Sequence, residues 1–220
     1  VTPLYPLFLK LEGAPVVVVG GGRIALEKTR DLCAAGARVT VISPNIDDDL
    51  RVLARESTST VALVERAFVD ADVDGARVVI AATDDTDVNK RVYTCAVAAR
   101  ALVNVVDVPD LCTFYTGGVV RRGPLTVVVG TSGASPSLAR RVRLMLEEHL
   151  SPALAPLARV LGDVRPQLLA RYPAFRARAA LLDAFVARAI DEIDDDVTDE
   201  EIRARVTREL LSDPTAREES

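Results

Sequence analysis

Cysteine, histidine and lysine are all scarce in this 220-residue sequence. Three cysteines, Cys33, Cys95 and Cys112, form an odd set without a CxxC pair, which argues against a disulfide framework and suits a reducing cytoplasm. Cys33 and Cys95 read as small apolar residues in or near the core. The only histidine, His149, stands near the end of an expected helix, where a solvent or dipole role fits better than catalysis. Lysine supplies three of the 27 basic residues. Long apolar runs are missing too: the longest, such as Val16-Val17-Val18-Val19, are strand-sized and fall short of the ~20 residues of a membrane helix, so a soluble protein is expected. No signal-peptide pattern opens the sequence, no repeat of solenoid period appears, and no long polar tract occurs. With hydrophobic residues at 49% and charged residues at 27%, the composition excludes a mainly disordered chain.

Acidic residues outnumber basic ones 32 to 27, a net charge of -5, which argues against a general role in coating nucleic acid. Short β-branched runs alternate with amphipathic stretches over the first hundred residues, the grammar of a parallel sheet flanked by helices. Strands are expected at 16–19, 39–42, 61–64, 77–82 and 102–106, and helices at 23–35, 47–56 and 87–99. The fold class is α/β, a Rossmann-type sheet, with Leu7-Phe8-Leu9 as a further edge. After residue 110 the pattern changes. The runs 114–120 and 125–129 flank Arg121-Arg122-Gly123-Pro124 and predict a β-hairpin. Ser135 and Pro136 then start a helix that runs to about Leu150. From Ser151 the chain is helical and Ala-rich, with breaks expected at Pro156, Pro166 and Pro173 and a capping box at Thr198-Asp199-Glu200-Glu201. Asp194-Asp195-Asp196 reads as a solvated linker. The expected domains are therefore 1–112, the α/β domain; 113–150, a hairpin-and-helix region; 151–213, a helical domain; and 214–220, a flexible tail.

The chemistry begins at Gly20-Gly21-Gly22-Arg23-Ile24-Ala25, a dinucleotide fingerprint between strand and helix. Gly20 permits the tight turn, Gly22 admits the pyrophosphate, and Ala25 lets the helix pack closely. A glycine-rich turn that binds nothing is the other reading. The acid that usually closes the second strand is missing, since Ser43-Pro44-Asn45 stands there, and the choice between NAD and NADP is not specified. Thr83, Asp84 and Asn89 line the cofactor from the other side of the switch point, while helix capping accounts for most of the acids at 84, 85 and 87. Asp107 ends the apolar run Val103-Asn104-Val105-Val106, where a general base or metal ligand can be built; a strand-ending turn before Pro109 is the alternative. Between Leu111 and Met145 there is no acid but there are five arginines, Arg121, Arg122, Arg140, Arg141 and Arg143. With the loop Gly130–Ser135, they suit an oxyanion-rich ligand, a polycarboxylate as readily as a phosphate.

Taken in order, Pro6 to Leu9, Val16 to Ala25, Glu27-Lys28, Gly36 to Val41, Ala81 to Asp85 with Asn89, Asn104 to Asp107 with Pro109, and Gly133 to Pro136 with Leu138 to Arg140 resemble the precorrin-2 dehydrogenase and sirohydrochlorin ferrochelatase family of siroheme biosynthesis, including the N-terminal half of fused siroheme synthases. The resemblance implies NAD as cofactor and oxidation of precorrin-2, a tetrapyrrole with eight carboxylates, to sirohydrochlorin. It implies a cytoplasmic homodimer docked through the hairpin and helix, with neither nucleic acid nor membrane as partner. Asp107 falls on the family's active-site position, and Arg121, Arg122, Thr131, Ser132, Ser135 and Arg140 become substrate-binding candidates. A regulatory phosphoserine of some fused members falls on Thr131 here, so that property does not transfer. With no metal-ligand cluster in the sequence, no metal site is assigned, and ferrochelatase activity stays open. The rival readings are a non-catalytic NAD-sensing module and a metal chelatase alone.

Overall fold

The computed structural model describes residues 4–57 and 60–212; the tail expected at 214–220 lies outside the described residues. Two compact units emerge, the first ending at Thr116 and the second beginning at Gly117. In the first, β1 (Pro15–Val19), β2 (Arg38–Ile42), β3 (Val61–Val64), β4 (Val78–Ala81) and β5 (Leu102–Val105) form one sheet in the order β3-β2-β1-β4-β5. All four pairings are parallel. The helices are α1 (Arg23–Ala34), α2 (Asp48–Glu56) and α3 (Thr86–Ala98).

The unbroken β-branched runs follow from burial on both faces of the sheet. Val16, Val18, Val39, Val41, Val78 and Ile80 meet Ala25, Leu26 and Leu50 from α1 and α2. The alternate residues Val17, Val19, Val79, Ala81, Val103 and Val105 meet Val92 and Ala96 of α3. Each enclosed valine contributes about 1.5–3 kcal/mol. This is the expected doubly wound Rossmann-type arrangement, and the chain reverses its winding between β1 and β4, which places the switch point beside Gly20.

Residues 7–9 do not extend the sheet: they form no strand, and Leu7 and Phe8 are 62% and 78% exposed. The place beside β5 is taken instead by residues leaving the sheet, since the Thr113 amide donates to the Val103 carbonyl at 2.8 Å and Cys112 bridges Asn104 antiparallel. The first hairpin strand consequently starts at Gly118 rather than Phe114.

In the second unit, β6 (Gly118–Arg122) and β7 (Leu125–Val129) pair antiparallel around Gly123-Pro124. Gly123 has φ +56°, as a two-residue turn with glycine first requires. α4 (Pro136–His149), α5 (Leu154–Arg171), α6 (Phe175–Glu192) and α7 (Asp199–Val206) follow. Leu157, Val160, Val164 and Leu168 of α5 pack with Phe185, Ala189, Ile202, Val206 and Leu210. Pro156 and Pro166 do not break α5. Pro156 lies in its first turn, where no helical N–H is lost. Pro166 costs about 3 kcal/mol in a helix interior, less than the four buried α5 side chains return at about 1.5–3 kcal/mol each. Thr198 and Glu201 form the expected capping box on α7. No helix among the described residues is long and apolar enough to cross a membrane.

Candidate functional site

The carboxyl edge of the parallel sheet gathers Gly20 to Ala25, Ser43, Thr83 and Asp107, because each follows the end of a strand whose register is fixed by its neighbours. Gly20 adopts φ +128°, and a Cβ there would stand 2.2 Å from the Ala82 carbonyl oxygen. Gly21 has a different duty. Its carbonyl accepts from the Asp47 amide at 2.9 Å, and a Cβ would stand 2.0 Å from the Asn45 oxygen. Around Gly22, by contrast, a Cβ would meet only open space. Gly22 is also the N-cap of α1, with no side chain capping the helix and no acid in its first turn. The amides of Arg23 and Ile24, two exposed residues, therefore stand uncapped beside open space, as a pyrophosphate needs, and the residues present fit a dinucleotide.

The other cofactor candidates are more occupied. The Ser43 hydroxyl donates to the Asn45 carbonyl at 2.7 Å, which closes the turn after β2; Pro44 is exposed beside it. Thr83 donates to the Asn89 side-chain oxygen at 2.8 Å, and the Asn89 amide returns a bond to the Thr83 carbonyl at 2.8 Å. The pair thus braces the loop at the end of β4. Asp85 caps α3 by accepting from the amides of Asp87 and Val88, whereas Asp84 is exposed and makes no bond to a described residue.

Asp107 is exposed, two residues beyond β5, and adopts φ +60°. This left-handed backbone is uncommon outside glycine, although aspartate tolerates it better than most residues. Its carboxylate makes no hydrogen bond or ion pair among the described residues. A buried clasp fixes the loop that carries it. Asn104, 8% exposed, donates to the Phe114 carbonyl at 3.0 Å, and the Thr113 hydroxyl accepts from the Val103 amide at 2.8 Å. The signal for this clasp was a lone asparagine within an apolar strand. Burial pushes the Cys112 thiol up, as it does those of Cys33 and Cys95, so none is poised as a thiolate. Among the described residues, no group of three or more His, Cys, Asp or Glu side chains is placed to hold a metal ion.

In the second unit the substrate candidates do not form one patch. Arg122 donates to the Leu150 carbonyl at 3.0 Å and to that of Glu147, capping the C-terminus of α4. Thr131, Ser132 and Ser135 lie at the other end of α4, which by helix rise is about 20 Å away. The Thr131 hydroxyl accepts from the Ser135 amide at 3.0 Å, and Ser135 accepts from the Leu138 amide at 3.2 Å. Ser132 is exposed at φ +52°. Arg143 pairs with Glu147 at 2.6 Å. Arg121, Arg140 and Arg141 are exposed and make no side-chain bond among the described residues. His149 bonds the Met145 carbonyl at 2.8 Å in the last turn of α4.

A family model described as "Putative NAD(P)-binding" matches residues 7–118. The siroheme synthase of Pseudomonas entomophila is 45% identical over 168 residues, which cover 76% of this chain and 36% of that protein. The siroheme synthase of Methylococcus capsulatus is 41% identical over 173 residues, 79% of this chain and 36% of the relative. The chain thus spans little more than a third of these curated relatives. Among solved structures, SirC, precorrin-2 dehydrogenase, superposes with a TM-score of 0.72 at 24% identity, covering 93% of this chain and 100% of that one. The fold is shared over almost the whole chain.

Proposed function

The chain belongs to this NAD(P)-binding family, and from that premise we propose that it is an NAD-dependent oxidoreductase that converts precorrin-2 to sirohydrochlorin in siroheme biosynthesis. The observation that carries the reading is the match to siroheme synthases at 45% identity, which extends past the glycine loop through 168 residues. A dinucleotide fold alone would give no such length of identity.

The amides of Arg23 and Ile24, with Gly22 open beside them and Ala25 packed beneath, hold the pyrophosphate. When bound, the dinucleotide supplies a hydride acceptor. Removal of two electrons from the macrocycle as hydride leaves one proton to be taken up, and Asp107, exposed and held by its clasp at the carboxyl edge, is the base that accepts it from a pyrrole nitrogen. Arg121, Arg140 and Arg141 hold substrate carboxylates, with the commitment of Arg122 to α4 removing it from first choice. A homodimer in the cytoplasm, as the family resemblance implies, completes the reading, with the cysteine usage in support of the compartment.

Anaerobic incubation with freshly generated precorrin-2 and NAD tests it. Equal yields of NADH and sirohydrochlorin above a protein-free control are expected. Protein that binds NAD but forms neither would leave the sensor module as the better description, and ferrous or cobalt ions added afterwards reveal whether metal insertion also occurs.

A further inference from the structure

The edge of the sheet formed by β2 and β3 carries a charge arrangement that no motif announces. Ser43 and Glu65 follow the paired residues Ile42 and Val64, and the Ser43 amide donates to the Val64 carbonyl at 3.2 Å. The adenosine ribose of a dinucleotide lies beside the end of the second strand, where a carboxylate marks NAD sites and an available arginine marks NADP sites. Ser43 supplies neither charge. Its surroundings do: Asp47, Asp48 and Asp49 open α2, and Glu65 stands on the adjoining strand end.

Two arginines stand near this edge, and both are engaged. Arg51 donates to Glu65 from Nη1 and, at 2.9 Å, from Nη2, while its Nε lies 3.9 Å from Asp48. All three guanidinium nitrogens therefore face carboxylates. Arg66 makes two bonds to Asp72, at 2.8 and 2.6 Å. Arg55 lies in the last turn of α2, remote from the carboxyl edge. A 2′-phosphate would bring about 1.5 to 2 negative charges to the β2–β3 edge, which holds four carboxylates and whose two arginines are both engaged; the exposed Arg23 stands at the start of α1, in the loop assigned to the pyrophosphate.

We propose that Glu65 determines dinucleotide choice: by occupying Arg51 it denies a 2′-phosphate its cation, so the site selects NAD over NADP. The inference rests on the dinucleotide site of the proposed function and adds the discriminating residue. Repulsion of the unwanted ligand, rather than attraction of the wanted one, supplies the selectivity.

Calorimetric titration of NAD and NADP into the wild type, Glu65→Gln and the double variant Glu65→Gln/Arg51→Gln separates the contributions. Wild type should bind NAD at least about tenfold more tightly than NADP; Glu65→Gln should recover about tenfold in NADP affinity with NAD within about twofold; the double variant should lose that gain. Equal wild-type affinities, an unchanged NADP affinity in Glu65→Gln, or a gain that survives loss of Arg51 would each overturn the inference while leaving dinucleotide binding intact. Wild-type protein that is folded by thermal melt and binds neither dinucleotide would overturn the proposed function together with it.

Discussion

α1 and α4 are helices of 12 and 14 residues, and each follows a glycine-containing loop. Their N-termini are used in opposite ways. At α1 the cap is Gly22, without a side-chain bond, and the helix buries Ala25, Leu26 and Thr29 in the unit. At α4 the cap is Ser135, which satisfies the Leu138 amide itself and is braced by Thr131, while the helix buries no residue fully. An anion finds free amides at the first and a finished cap at the second. Under the proposed function, dinucleotide phosphates are therefore assigned to α1, and recognition of a polycarboxylate in the second unit to arginine side chains.

The largest effect expected from this division is at Asp107. Asp107→Asn should lower turnover by about a hundredfold or more with NAD affinity unchanged in titration. Asp107→Gly should do the same and also raise the melting temperature, because glycine adopts φ +60° without strain; a melting temperature that falls would refute the strain argument.

Gly22→Ala should weaken NAD binding about tenfold in an unshifted fold, since a Cβ meets no protein atom. Gly21→Ala should instead destabilise the first unit, because a Cβ would press on the Asn45 oxygen at 2.0 Å. Thermal melts beside NAD titrations distinguish the two. Equal melting temperatures for both variants would break the separation of a ligand glycine from a packing glycine.

At the other helix, Ser135→Ala should cost about 1 kcal/mol of stability, read by denaturant unfolding, without loss of NAD affinity. Arg140→Gln should raise the KM for precorrin-2 several-fold and flatten its salt dependence. The smallest effect concerns acid. The bonds from Arg66 hold the Asp72 carboxyl below the usual aspartate range. Its stabilising contribution is present above the unfolded value near 3.9 and is lost as pH falls through the lower folded value. Asp72→Asn should therefore show a shallower loss of stability in that window.

Much of this was legible in the sequence because it depends on local grammar. Continuous valine runs announced a sheet covered on both faces, glycine spacing announced the turn into α1, and Thr198 with Glu201 announced a helix start. What was hidden depends on residues distant along the chain. Nothing in the sequence tells that Gly21 must be bare because Asn45 passes over it, that Arg122 will cap a helix 25 residues on by bonding Glu147, or that Glu65 will occupy Arg51. The break expected at Pro173 does separate α5 from α6, but the one expected at Pro166 failed for a related reason: propensity is local, whereas the packing that carries α5 through Pro166 is tertiary.

Hydrogen exchange with and without NAD, resolved to the segments that hold the two helix starts, puts the division to a decisive test. Protection should appear over residues 20–26 on adding NAD and be absent over 131–139. Protection confined to 131–139, or none over 20–26 at saturating NAD, would contradict it.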